Sequence, residues 1–179
     1  MVKEQNYQLD DTALQEYFPL DVVTQGLLST YQELLGLSFT QIENAEVWHE
    51  DTLMYEVRNS DAPGDGRAAG ALVGYFYLDM FPREGKYGHA ACWGLQPGCA
   101  LPDGSRQLPV SACVCNFTKP TADKPSLLRH NEVETFFHEF GHCMHGLCSE
   151  RPSFSRFAGV QLIGHARNNM YLNLSHAWL

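Results

Sequence analysis

The 179-residue sequence contains no run approaching the ~18 to 20 uninterrupted apolar residues of a membrane span, which argues against a membrane partner. Its start, Met1-Val2-Lys3-Glu4-Gln5, lacks the pattern of a secretory signal, so a cytoplasmic protein is expected. Basic residues are sparse: 12 Lys and Arg stand against 21 Asp and Glu, for a formal net charge of −9. With no basic stripe along the chain, nucleic acid is excluded as the expected partner. The six cysteines are scattered, and without a secretory context reduced thiols are the expectation. Acidic residues also run out, because no Asp or Glu follows Glu150.

A hydrophobic fraction of 44% is enough for one packed domain. From Leu20 to Leu35 the apolar positions Val23, Leu27, Leu28, Tyr31, Leu34 and Leu35 recur at helical spacing, and Gly36 signals the stop. A shorter helix is compatible with Ala13 to Tyr17. Leu37 to Ile42, Leu53 to Arg58, Leu72 to Phe81 and Leu108 to Phe117 are rich in β-branched and aromatic residues and read as strands. Pro82 to Gly88 is a break, and Gln96 to Asp103 is turn-rich. Within the last strand Cys113 and Cys115 share one face, a pattern that suits core packing better than a metal site. The predicted class is α+β, a small antiparallel sheet packed against helices.

The segment His138-Glu139-Phe140-Gly141-His142 is an HExxH motif inside an aromatic, helix-periodic run. A separation of four residues is about 400° of rotation, so the two imidazoles stand one turn apart, about 6 Å between Cα atoms, and can reach one ion. Glu139 lies about 100° round from His138, poorly placed as a ligand but able to reach a water held on that ion. Val133, Phe136, Phe137, Phe140, Met144 and Leu147 demand that the helix be buried, and polar groups buried on it need partners. Asn131 as N-cap, with Glu134 three residues on, predicts the helix start. It should end near Leu147 or Cys148.

Several separate blocks resemble the thimet oligopeptidase and neurolysin family of zinc metallopeptidases. They are Tyr17-Phe18-Pro19, Phe81-Pro82-Arg83-Glu84-Gly85, Lys86-Tyr87-Gly88-His89-Ala90-Ala91-Cys92, Asn116-Phe117-Thr118-Lys119-Pro120, and the run from Asn131 to His142. The resemblance implies a zincin-type active-site helix within a larger, mainly helical peptidase. It implies one Zn2+ held by His138 and His142, with Glu139 as catalytic general base and short peptides as substrates. It also implies that the strand Leu108 to Phe117 offers its edge to an extended peptide.

After Gln161 the likeness stops. Residues 1–161 are expected to be the N-terminal part of the catalytic domain and 162–179 a divergent tail, as in a truncated product. The family's third ligand, a glutamate from a following helix, falls at Arg167, and a cation cannot bind zinc. Glu150, His145, Cys148, His165 and His176 remain weaker alternatives. Without that following helix, part of the apolar face from Val133 to Leu147 is expected to stay open, and turnover by this chain to be weak or absent.

Overall fold

The computed structural model describes residues 11–60 and 68–149. A short helix α1 (Asp11–Gln15) leads into α2 (Leu20–Leu35). The apolar stripe of α2 buries Leu20, Val23 and Leu27. It ends where Gly36 takes the left-handed conformation, φ 61°, and its N–H bonds the Gln32 carbonyl. That turn feeds strand β1 (Leu37–Gln41), which pairs antiparallel with β2 (Leu53–Asn59), itself antiparallel to β3 (Leu72–Asp79). After β4 (Ala91–Gln96) come the two-residue strands β5 (Cys99–Ala100) and β6 (Arg106–Gln107), which pair only with each other. Strand β7 (Val110–Val114) completes the main sheet, and α3 (His130–Cys148) follows.

The sheet order is β1-β2-β3-β7-β4, which corrects the antiparallel expectation. Strand β7 runs parallel to β3, with Leu78 opposite Cys113, and antiparallel to β4. The sheet is therefore mixed. A parallel pair requires a long crossover, and the segment from Met80 to Pro109 supplies it while also laying down β4 at the outer edge. The strand predicted over Leu108 to Phe117 is β7, shorter at Val110–Val114 and interior with both edges paired, so it cannot offer an edge to a peptide; β4 lies at the edge beyond it.

Helix α3 packs across β3, β7 and β4. Its residues Val133, Phe136, Phe140, Cys143, Met144 and Leu147 are buried, and Phe137 is half-buried. Phe140 sits at the centre, its ring 5.1 Å from both Tyr31 and Phe76, and Phe136 lies 5.5 Å from Phe117. The apolar face expected to stay open is thus covered by the sheet and α2. The helix also begins two residues earlier than predicted. Arg129 is the extended N-cap residue, and its N–H donates to the Glu132 carboxylate at 2.7 Å. Glu134 instead lies one turn on from His130, its Oε2 3.8 Å from the His130 Nδ1.

The crossover is anchored by Asp79 at the end of β3, a carboxylate only 3% exposed. Arg83 grips it through two bonds of 2.7 and 2.8 Å, Lys86 Nζ donates at 2.8 Å, and Trp48 Nε1 at 2.9 Å. Lys86 also donates to the carbonyls of Phe81 and Cys115, tying the loop to the end of β7. Burial would raise the Asp79 pKa, but the cationic Arg83 and Lys86, with the Trp48 N–H, outweigh it and hold the carboxyl well below the usual range. A folded-state pKa below the unfolded value of about 4 adds stability that is present above that pH and lost as pH falls. Asp79→Asn should therefore cost about 3 to 5 kcal/mol near pH 7 and flatten the acid limb of the stability profile. Urea unfolding at a series of pH values checks this, and an unchanged midpoint at pH 7 would refute it.

Candidate metal centre

The motif residues lie on the flank of α3, between its buried stripe and solvent. His138, Glu139 and His142 are each half-buried, less enclosed than the sequence suggested. The two rings do converge. His138 Nε2 and His142 Nε2 face each other at 3.0 Å, with the ring planes at 87°. Two nitrogens bound tetrahedrally to zinc at ~2.0 to 2.1 Å stand about 3.3 Å apart, so the pair needs to open by only a few tenths of an ångström. That donor set, two imidazole nitrogens, fits zinc.

Burial lowers the His142 pKa, and the neighbouring His138 lowers it further, so the ring is biased toward the neutral form that a metal ligand requires. Its Nδ1 atom is buried with no hydrogen-bond partner among the described residues. A third donor does not join the pair within that set, for no group of three His, Cys, Asp or Glu there is arranged to hold a metal ion. His145 and Cys148 line a 260 Å³ cavity with Tyr31, Leu35, Met144 and Ser149 at the C-terminal end of α3. Glu150, His165, Arg167 and His176, and the whole 162–179 tail, lie outside the described residues.

Glu139 points to β4. One carboxylate oxygen accepts the backbone N–H of Cys92 at 2.9 Å, so that N–H faces off the ladder with β7. Sequence reasoning missed this partner, because Ala91 to Gln96 shows no clean alternation: its last four residues are exposed, including Trp93 and Leu95. Edge strands with one free side carry a weak pattern. The family-like block ending at Cys92 was the available signal.

Gly141, inside the motif, lies against Tyr31 of α2. A Cβ there would stand 3.1 Å from the Tyr31 hydroxyl, which donates to the Phe137 carbonyl at 3.1 Å.

With this geometry in view, the chain matches the model of Peptidase family M3 over residues 1–162. It is 49% identical over 158 residues to thimet-like oligopeptidase of Dictyostelium discoideum, an alignment covering 88% of this chain and 22% of that protein. Saccharolysin of Saccharomyces cerevisiae is 44% identical over 158 residues, covering 87% and 22%. Oligopeptidase A of Escherichia coli is 34% identical over 160 residues, covering 88% and 22%. The class these likenesses define is a peptidase. The chain belongs to Peptidase family M3, and it spans 22% of the length of these relatives.

Gly141→Val forces its branched side chain against Tyr31 and should cost about 1 to 3 kcal/mol, whereas Gly141→Ser at the same site should cost less. Equal unfolding midpoints for wild type and the valine variant would contradict the close approach.

Proposed function

We propose that His138, His142 and Glu139 are the described part of the zinc centre of a metalloendopeptidase that cleaves short peptides. The observation that carries this reading is the convergence of two imidazole nitrogens at 3.0 Å on a helix whose intervening Glu139 faces the sheet edge. His138 and His142 would hold one zinc ion. Zinc, when bound, lowers the pKa of a water and polarises the scissile carbonyl. Glu139, acting as general base, takes the water's proton on its carboxylate and passes it to the departing amine. Only one of its two oxygens accepts the Cys92 N–H, so the other is the one to take that proton while the first bond holds the carboxylate in place.

The peptide would lie along β4, the edge strand beside Glu139, on the side that faces away from β7. Trp93 and Leu95, 47% and 52% exposed, supply apolar contact there. A cytoplasmic setting is part of this reading; no helix among the described residues is long and apolar enough to cross a membrane.

A second reading, peptide binding without turnover, is favoured by Arg167, which stands where the family resemblance places the third ligand. Loss of a group that merely supports a ligand costs ~10 to 100-fold in metal affinity or activity, and loss of a ligand costs more. We therefore expect the 179-residue polypeptide to bind zinc weakly and turn over slowly if at all. His138→Ala or His142→Ala should weaken zinc binding by more than about 10-fold in equilibrium dialysis, while Glu139→Gln retains zinc. Zinc affinity unaffected by either histidine substitution would overturn the metal-site reading. A quenched fluorescent peptide then separates the two functions: turnover lost in Glu139→Gln supports catalysis, and equal rates in both proteins leave only binding.

A further inference from the structure

Outside the imidazole pair, a row of sulfurs lies between the same helix and the sheet. Cys113 on β7 and Cys115 just beyond it are fully buried in the core, as is Cys143 on α3. Cys92, half-buried on the edge strand β4, lies opposite Cys113 in the ladder. Cys143 Sγ is 3.0 Å from Cys92 Sγ. Among the described residues these groups do not form a metal-holding cluster, so thiol chemistry is what remains open to them. Cys92 and Cys143 are the pair that joins the solvent-facing edge to the interior.

We propose that Cys92 and Cys143 form a reversible dithiol–disulfide pair, closed by hydrogen peroxide and opened by a dithiol reductant. Two features of the fold favour this pair. The sulfurs need to approach by only about 1 Å to reach the ~2.05 Å of a disulfide bond. They also sit on different elements, β4 and α3, whose packing already holds them in register. Cys92 is the partner an oxidant meets first, because Cys143 has no exposed surface.

The chemistry balances in two steps. Cys92 Sγ takes an oxygen from hydrogen peroxide as the O–O bond breaks, giving a sulfenic acid and one water. Cys143 Sγ then bonds to Cys92 Sγ as the S–O bond breaks, and the departing hydroxide leaves with the Cys143 proton as a second water. Two thiols lose two electrons and two protons, and the peroxide is reduced.

The bond would staple α3 to β4 at the residue whose N–H holds Glu139. This inference goes beyond the peptidase reading and does not depend on zinc or turnover.

The test treats the reduced 179-residue protein with hydrogen peroxide, blocks remaining thiols with N-ethylmaleimide, and maps peptides by mass spectrometry without reduction. The expected result is loss of the mass of two hydrogens and a cross-linked peptide joining Cys92 to Cys143, both reversed by dithiothreitol. Cys92→Ser, a change on the half-buried edge, should abolish that loss at the same peroxide dose. Oxidation confined to Cys92 as sulfinic acid, a bridge from Cys143 to Cys113 instead, or an undiminished two-hydrogen loss in Cys92→Ser would each overturn the proposal. Because no readout involves metal or peptide, failure here is distinct from failure of the metal centre.

Discussion

The burial of one face of α3 is the constraint on which the rest depends. Phe136, Phe140, Met144 and Leu147 recur at helical spacing and are all buried under the sheet. Burying large side chains of this kind stabilises each by about 1.5 to 3 kcal/mol, so the rotation of the helix about its own axis is not free. Once that rotation is set, His138, Glu139 and His142 have only the flank left to them. The imidazoles meet there because four residues is one turn, and Glu139 faces β4 because it lies about 100° further round.

The mixed sheet does the complementary work. Inserting β7 between β3 and β4 gives α3 a central strand to pack on and pushes β4 to the margin, within reach of Glu139. The crossover that makes this possible is held by the Asp79, Arg83 and Lys86 cluster. At the other end, the Leu20 N–H donates to Ser126 and the Leu128 N–H to Phe18, each at 2.8 Å, fixing where the chain enters α3. Several blocks that resemble the family are therefore the joints of the scaffold. Tyr17-Phe18-Pro19, Phe81 to Lys86 and the approach to α3 all set the position of the motif helix without carrying its chemistry.

Much of this was legible in the sequence, for identifiable reasons. Helix α2 matched its predicted bounds, Leu20 to Leu35, because a strong apolar period is closed by Gly36. The first three strands fell where β-branched and aromatic residues cluster, although β3 ends at Asp79 rather than running on to Phe81. What stayed hidden was long-range. Nothing local in Val110 to Val114 distinguishes a parallel interior strand from an antiparallel edge strand, and β4 carries too weak an alternation to declare itself. The helix start was misplaced because Asn131 is the better capping residue by type. The native bond instead joins Glu132 to the Arg129 backbone. Cys113 and Cys115 proved to be core residues as expected, yet their proximity to Cys92 and Cys143 depends on tertiary packing.

The central claim is that two imidazoles on α3, and not the nearby sulfurs, form the metal-binding pair. Zinc K-edge X-ray absorption of the zinc-loaded protein tests it most directly. The account predicts nitrogen and oxygen scatterers at ~2.0 to 2.2 Å with the outer-shell pattern of imidazole. Sulfur scatterers at about 2.3 Å, or a spectrum without imidazole features, would contradict it.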